Sequence, residues 1–320
     1  MEISNNSMAI IILCSHLSLS EDMKPLETVE WSNLASLLVS NQLQPYDMIR
    51  LSSRELALRL GLDDELISRI ETLVSRSASI TFELEKLYRT GIKIVTRADD
   101  EYPKKLKKTI GKHCPPLFYY AGNLELTKLP LIGLVGSRTA DEVDIEFTKT
   151  MVHKIIDQKI GVVSGGAKGI DATATVEAIR LGGYAVEYLS DSLQRKTKNL
   201  ETIQAIRDGQ LLLLSETKPQ SGFDVGFAMK RNKYIYGNSI ATIVVRSELK
   251  KGGTWNGAIE NINKEWTPIL CWNNPNYRGN TELIAKGAQP ITLEWNLKIE
   301  NHKAALSEKK QQLSLFDYDE

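Results

Sequence analysis

The sequence predicts an α/β protein: a mostly parallel sheet covered by helices on both faces, preceded by a small all-α module. Three observations carry this. From Gly91 onward, apolar runs of strand length alternate with helical patterns, as strands buried on both faces require. Two of these runs end in glycine-rich turns about one βαβ unit apart. Ahead of them, apolar residues recur at helical spacing.

Residues 1–85 are read as the helical module. Leu34, Leu37 and Leu38, then Leu56, Leu58, Leu60, Leu66, Ile67, Ile70 and Leu73, fall on repeating helical faces. Gly61-Leu62 followed by Asp63 and Asp64 predicts a junction between two helices, with one of the two aspartates as the N-cap of the second. The apolar run 8–14 is too short to span a bilayer and has no positive segment before it, so it is read as neither a span nor a signal.

Residues 86–295 are read as the sheet domain. Strands are predicted at 92–95, 131–135, 161–164, 185–189, 211–214, 241–245 and 268–271, with helices at 142–157, 171–181, 200–208 and 257–264. Residues 296–320 carry charge and glutamine without apolar period until their end, which predicts a disordered tail.

At 320 residues the chain can bury a large core. Its 40 basic and 40 acidic residues cancel, so it exerts no global field on nucleic acid, and any binding of that kind needs a local basic patch. Cys14, Cys114 and Cys271 are far apart and odd in number, which argues for reduced thiols in a cytoplasm. No two of the four histidines stand at ligand spacing, so no metal site is expected, and His153 reads as a structural residue of its helix.

The most informative stretch is Val162-Val163-Ser164-Gly165-Gly166-Ala167-Lys168-Gly169-Ile170-Asp171. Glycines at 165, 166 and 169 let the backbone bend and approach a ligand, the helix start that follows offers N–H groups to an anion, and Lys168 adds a mobile charge. Tight strand-to-helix packing alone explains such a turn equally well. A second turn, Gly136-Ser137-Arg138, ends the preceding strand, so both lie on the sheet edge where open α/β sheets bind ligands. Further on, Lys230, Arg231, Asn232 and Lys233 interleave with Tyr234 and Tyr236 before Gly237, which is read as the stop of that helix. Two readings stay open there: tyrosines that stack bases of a single strand, or a solvated helix face over core tyrosines. Asp171, at a helix start, is read as a partner of the helix dipole. No Ser–His–Asp arrangement is visible.

These residues, with Pro115-Pro116-Leu117-Phe118-Tyr119 and Gly122-Asn123, fall in the order seen in DNA-processing protein A (DprA or Smf), and the chain resembles that family from about Thr90 to Ile291. The resemblance implies an extended Rossmann-like core, single-stranded DNA as ligand, contact with the recombinase RecA, a homodimer, and no enzymatic activity or cofactor. It places the phosphate contacts on Gly136, Ser137, Arg138, Ser164, Gly165, Gly166, Lys168, Gly169, Lys230, Arg231, Asn232 and Lys233. The chain departs from the pattern at Thr175, where the family commonly has histidine, at Ser190-Asp191-Ser192, in place of a G-x-G turn, and at Gly252-Gly253-Thr254-Trp255, in place of S-G-[ST]. The alternative is a nucleotide sensor or a nucleoside-monophosphate phosphoribohydrolase serving phage defence. That chemistry needs a carboxylate three residues after the threonine, and here Gly257 holds the position.

The tail carries Gln312-Leu313-Ser314-Leu315-Phe316, which matches a Q-L-[SD]-L-F pentapeptide used to dock on the DNA polymerase sliding clamp. Sliding-clamp binding is therefore expected of residues 296–320.

Overall fold

The computed structural model describes residues 3–20, 23–191 and 193–297; the clamp-like motif Gln312, Leu313, Ser314, Leu315 and Phe316 lies outside them. Six helices come first: α1 (Asn5–Cys14), α2 (Thr28–Ser40), α3 (Asp47–Arg50), α4 (Ser53–Leu60), α5 (Asp64–Ser75) and α6 (Ser77–Arg89). Their boundaries follow local chemistry. Ser52 and Glu55 form a capping box at the start of α4, Gly61 ends it in the left-handed conformation, and Asp63 caps α5 by accepting the Leu66 N–H at 2.8 Å. In α4, Leu56 and Leu60 are buried one turn apart, whereas Leu58, two residues from each, faces solvent and leaves the predicted apolar face.

The run 8–14 is the buried helix α1, closed at its far end by Arg76, which donates to the carbonyls of Ile12, Ser15 and Leu17. Burial of this guanidinium among carbonyls pushes its pKa down to about 10. One apolar cluster runs from Ile10, Trp31 and Leu38 through Ile94 and Tyr119 into Ile132 and Ile155, so the helices and the sheet share a core.

The remainder is β1 (Lys93–Thr96), α7 (Lys104–Ile110), β2 (Leu117–Ala121), β3 (Leu131–Val135), α8 (Glu142–Asp157), β4 (Gly161–Ser164), α9 (Ile170–Arg180), β5 (Ala185–Leu189), α10 (Leu193–Lys196), α11 (Leu200–Arg207), β6 (Leu211–Ser215), α12 (Val225–Asn238), β7 (Ala241–Val244), α13 (Gly252–Lys264), β8 (Ile269–Trp272), α14 (Arg278–Ala285) and β9 (Gln289–Ile291). The strands form one sheet in the order β1-β2-β6-β5-β4-β3-β7-β8-β9. From β6 to β9 all pairings are parallel, and β2 and β1 extend the sheet antiparallel from β6. The fold is the mixed α/β, Rossmann-like class that the sequence predicts.

All seven predicted strands are present, with β3, β4 and β5 at the predicted bounds. Two more were not predicted: β2, a fully buried apolar run behind two prolines, and β9, a three-residue edge strand containing Pro290. Gly237 is not a helix stop. It lies inside α12, where Leu106 and Ile110 of α7 pack on it so closely that a Cβ would sit 2.6 Å from Leu106 Cδ1.

Chain direction fixes where a ligand can sit. From β3 the connections lead one way through β4, β5 and β6 and the other way through β7, β8 and β9. The direction changes between β3 and β7, and the carboxyl ends of those strands open the crevice typical of such sheets.

Candidate nucleic-acid interface

Two hollows lie on this edge. One, of about 610 Å³, spans the switch point between the turn after β3, the start of α12, and the segment from Arg246 to Thr254. The other, of about 280 Å³, lies over the ends of β4 and β5 and is walled by Lys168, Asp191, Arg195 and Lys196. Arg138, Ala167, Phe223 and Arg231 line both, so the hollows form one trough with a divider. Arg138 is exposed, and its guanidinium stands 4.8 Å from the ring centre of Phe223, which is itself 52% exposed.

The two glycine turns are packed together. Gly136 lies against Ile170, and Gly169, at φ +77°, comes so close to the other turn that a Cβ would stand 2.4 Å from the Ser137 carbonyl oxygen. Gly165 lies directly under the Arg231 guanidinium, where any side chain would collide. Ser164 is buried behind the turn and donates its hydroxyl to the Leu134 carbonyl at 2.6 Å. Gly166 covers the buried ion pair of Glu187 and Lys196.

Arg231 and Asp171 form a second buried pair, Nη1 to Oδ2 3.6 Å, each side chain 7% exposed. Burial drives the carboxyl pKa upward against the opposing pull of Arg231 and of the Ala167 and Gly165 N–H groups. Burial likewise lowers the guanidinium pKa against the pull of Asp171. Asp171 is therefore more than a dipole partner of α9: it holds a charge on α12 against the glycine turn.

The structure brings Gly136, Ser137, Arg138, Gly165, Gly166, Lys168, Arg231 and Asn232 to the trough walls. Lys230 and Lys233 line neither hollow. Lys230 pairs with Glu216 at 3.3 Å and Lys233 with Glu260 at 3.4 Å. Tyr234 and Tyr236 are buried to 1% exposure; Tyr234 donates to Glu216 and packs against Phe118 and Tyr188. Of the two readings of this helix, core tyrosines hold, and the stacking reading falls because no base can reach those rings. The exposed aromatic is instead Phe223, in the loop before α12. Sequence reasoning passed over it and over Arg195, Lys196, Arg246 and Lys251. A lone aromatic among Gly222, Ser221 and Asp224 was the available signal.

The third wall is built by capping. Asp141 and Asp144 box the start of α8, Arg246 donates to both at 2.9 Å, and Tyr277 donates to Asp144 at 2.7 Å beneath the Arg246 guanidinium. Asn232 donates to the Gly253 carbonyl at 2.9 Å, and Thr254 donates to that of Gly136 at 3.1 Å, which locks α13 to α12 and to the first turn.

With this geometry in place, comparison with known proteins is informative. The family model for DNA recombination-mediator protein A matches residues 93–301. Among curated proteins, Smf of Synechocystis is 27% identical over 221 residues, 66% of this chain and 54% of that protein. DprA of Streptococcus pneumoniae is 29% identical over 155 residues, 48% and 54% respectively. The matches thus span about half the length of these two relatives. Among solved structures, Streptococcus pneumoniae DprA superposes with a TM-score of 0.66 at 20% identity, over 91% of this chain and 95% of that one. DNA processing protein A of Helicobacter pylori gives 0.53 at 24% identity, over 69% and 98%. These likenesses bear on the fold, while the family model covers most of the chain, sheet and trough included: the protein belongs to the DNA recombination-mediator protein A family.

Proposed function

We propose that the chain binds single-stranded DNA along the trough, as a recombination mediator that passes the strand to a RecA-type recombinase. The observation that carries this is the Arg138–Phe223 pair standing between two hollows. A guanidinium suited to a phosphate beside a half-exposed aromatic face suits a strand whose bases are unpaired, and a trough over several strand ends suits a polymer. Lys168, Arg195 and Lys251, all exposed, add local positive charge to a chain without net charge. The family, and the single-stranded DNA binding of the Helicobacter pylori relative, support the same reading. We place the contacts on Arg138, Lys168 and Arg231, with the glycines of both turns giving close approach. Lys230 and Lys233 are left at the periphery, held by their ion pairs. A homodimer, a cytoplasmic location, and a division into residues 1–85, 86–295 and a clamp-docking tail belong to the same proposal.

Binding rather than catalysis is supported by Gly257. It is buried, and a Cβ there would meet Tyr236 at 3.1 Å and Asn232 at 3.2 Å, so the carboxylate of a phosphoribohydrolase has no room. Glu260, one turn on, faces Lys233.

The test is fluorescence anisotropy with oligo-dT, duplex and dTMP. Oligo-dT should bind most tightly, with a log–log salt slope of about 0.7 per phosphate neutralised. Arg138→Ala with Lys168→Ala should weaken binding about tenfold and flatten the slope. Equal affinity of double variant and wild type would remove the trough from consideration.

A further inference from the structure

We propose that the amino end of α13, with Lys251 beside it and Arg231 behind it, is the seat of one phosphate group and the principal oxyanion subsite of the trough. This rests on the single-strand reading above and assigns the main phosphate contact elsewhere than the glycine-rich turn after β4.

That turn is largely engaged from within. Asp171 draws the N–H groups of Ala167 and Gly165, and the Ile170 N–H at the start of α9 faces the Ser137 carbonyl at 3.4 Å. The start of α13 has the opposite character. It heads a thirteen-residue helix whose N-cap, Lys251, offers no side-chain acceptor, and its first turn holds no acidic residue. Its leading N–H groups therefore keep their call for an anion. Gly252 and Gly253 leave them uncovered: a Cβ at 252 would meet nothing within 4 Å, and the Thr254 hydroxyl is turned to Gly136. The helix start also borders the switch point between β3 and β7, where the larger hollow lies.

The second observation is Arg231. Its side chain is 93% enclosed, it lines the same hollow, and its Nε has no hydrogen-bond partner among the described residues. A buried guanidinium with an unmet donor signals a missing acceptor. It is tied to the helix start through one side chain: Arg231 Nη1 donates to Asn232 Oδ1 at 3.1 Å, and Asn232 Nδ2 donates to the Gly253 carbonyl at 2.9 Å. The charges facing the seat are Arg231, Lys251 and Arg246 against Asp171 and Glu248, and Arg246 is already held by Asp141 and Asp144. Lys251 is thus the mobile cation at the seat.

Lys251→Asp separates this seat from general electrostatics, because an N-cap carboxylate occupies the same N–H groups and stabilises the helix. Lys250→Asp makes the same charge change one residue away and serves as control. The expected result is oligo-dT affinity about tenfold weaker in Lys251→Asp and within about threefold of wild type in Lys250→Asp, with the melting temperature of Lys251→Asp unchanged or raised. Equal losses in both variants would overturn the seat. Inorganic phosphate and dTMP, read by thermal shift, identify the source of the oxyanion. If wild type ignores oligo-dT but is stabilised by these small anions, and Lys251→Asp is not, the seat stands and the single-strand function falls. If neither oligo-dT nor the small anions distinguish Lys251→Asp from Lys250→Asp, the seat falls.

Discussion

Glu177 shows how one side chain settles several sequence questions. It accepts from Arg180 at 2.9 and 2.7 Å and meets His153 Nε2 at 2.8 Å, so His153 has a structural partner, 24 residues away on the neighbouring helix. The Arg180 hydrogen bonds, helped by His153, hold the Glu177 carboxyl down to about 2. A lowered acid stabilises the fold above its ordinary pKa of 4.5 and loses that contribution as pH falls toward 2. Glu177→Gln should therefore be less stable than wild type by about 1–2 kcal/mol at pH 6, after allowance for the exposed partners, with the gap closing by about pH 2. Urea unfolding across that range is the measurement, and a gap independent of pH would contradict the assignment. At this scale the sequence showed which residue types mattered but not their partners. Arg138 and Lys168 could be read from their turns. The pairing of Asp171 with Arg231 spans sixty positions of chain and leaves no local trace.

Helix α12 gives the corresponding lesson for elements. Its residues suggested a basic face closed by Gly237, whereas the helix continues to Asn238 and buries both tyrosines. Glycine is there because α7 crosses at contact distance. Gly237→Ala should therefore destabilise by about 1–3 kcal/mol, opposite in sign to the gain that helix propensity alone gives. Thermal or urea unfolding decides between the two. A smaller residue at Leu106 should recover part of the loss, since Leu106 Cδ1 is the atom displaced. Strands buried on both faces were legible because their apolar runs stand between helical patterns. β2 was not, since its run sits among turn residues and pairs with β6 far along the chain.

For the molecule as a whole, composition and alternation were enough for the α/β class but not for strand order, which depends on pairings across distant segments. The shared core of helices and sheet was equally hidden, because helical periodicity reports which face is buried and not what covers it. The tail motif is a property of the entire chain in use, since it would carry a strand binder to replication forks. A pull-down with bacterial sliding clamp should retain the full chain and lose the Leu315→Ala/Phe316→Ala variant; equal retention would end that proposal. Strand order also has a bearing on synthesis. Tyr119 on β2 pairs with Ser215 on β6, and Ile132 on β3 with Ala241 on β7. At ordinary translation rates each partner leaves the ribosome roughly 5–20 s after the strand awaiting it. During that interval a nascent chain exposes open sheet edges, and the crevice between β3 and β7 has only one bank. The nascent protein thus gains its ligand-binding crevice only after β7 has emerged, so incomplete chains are aggregation hazards without being DNA competitors.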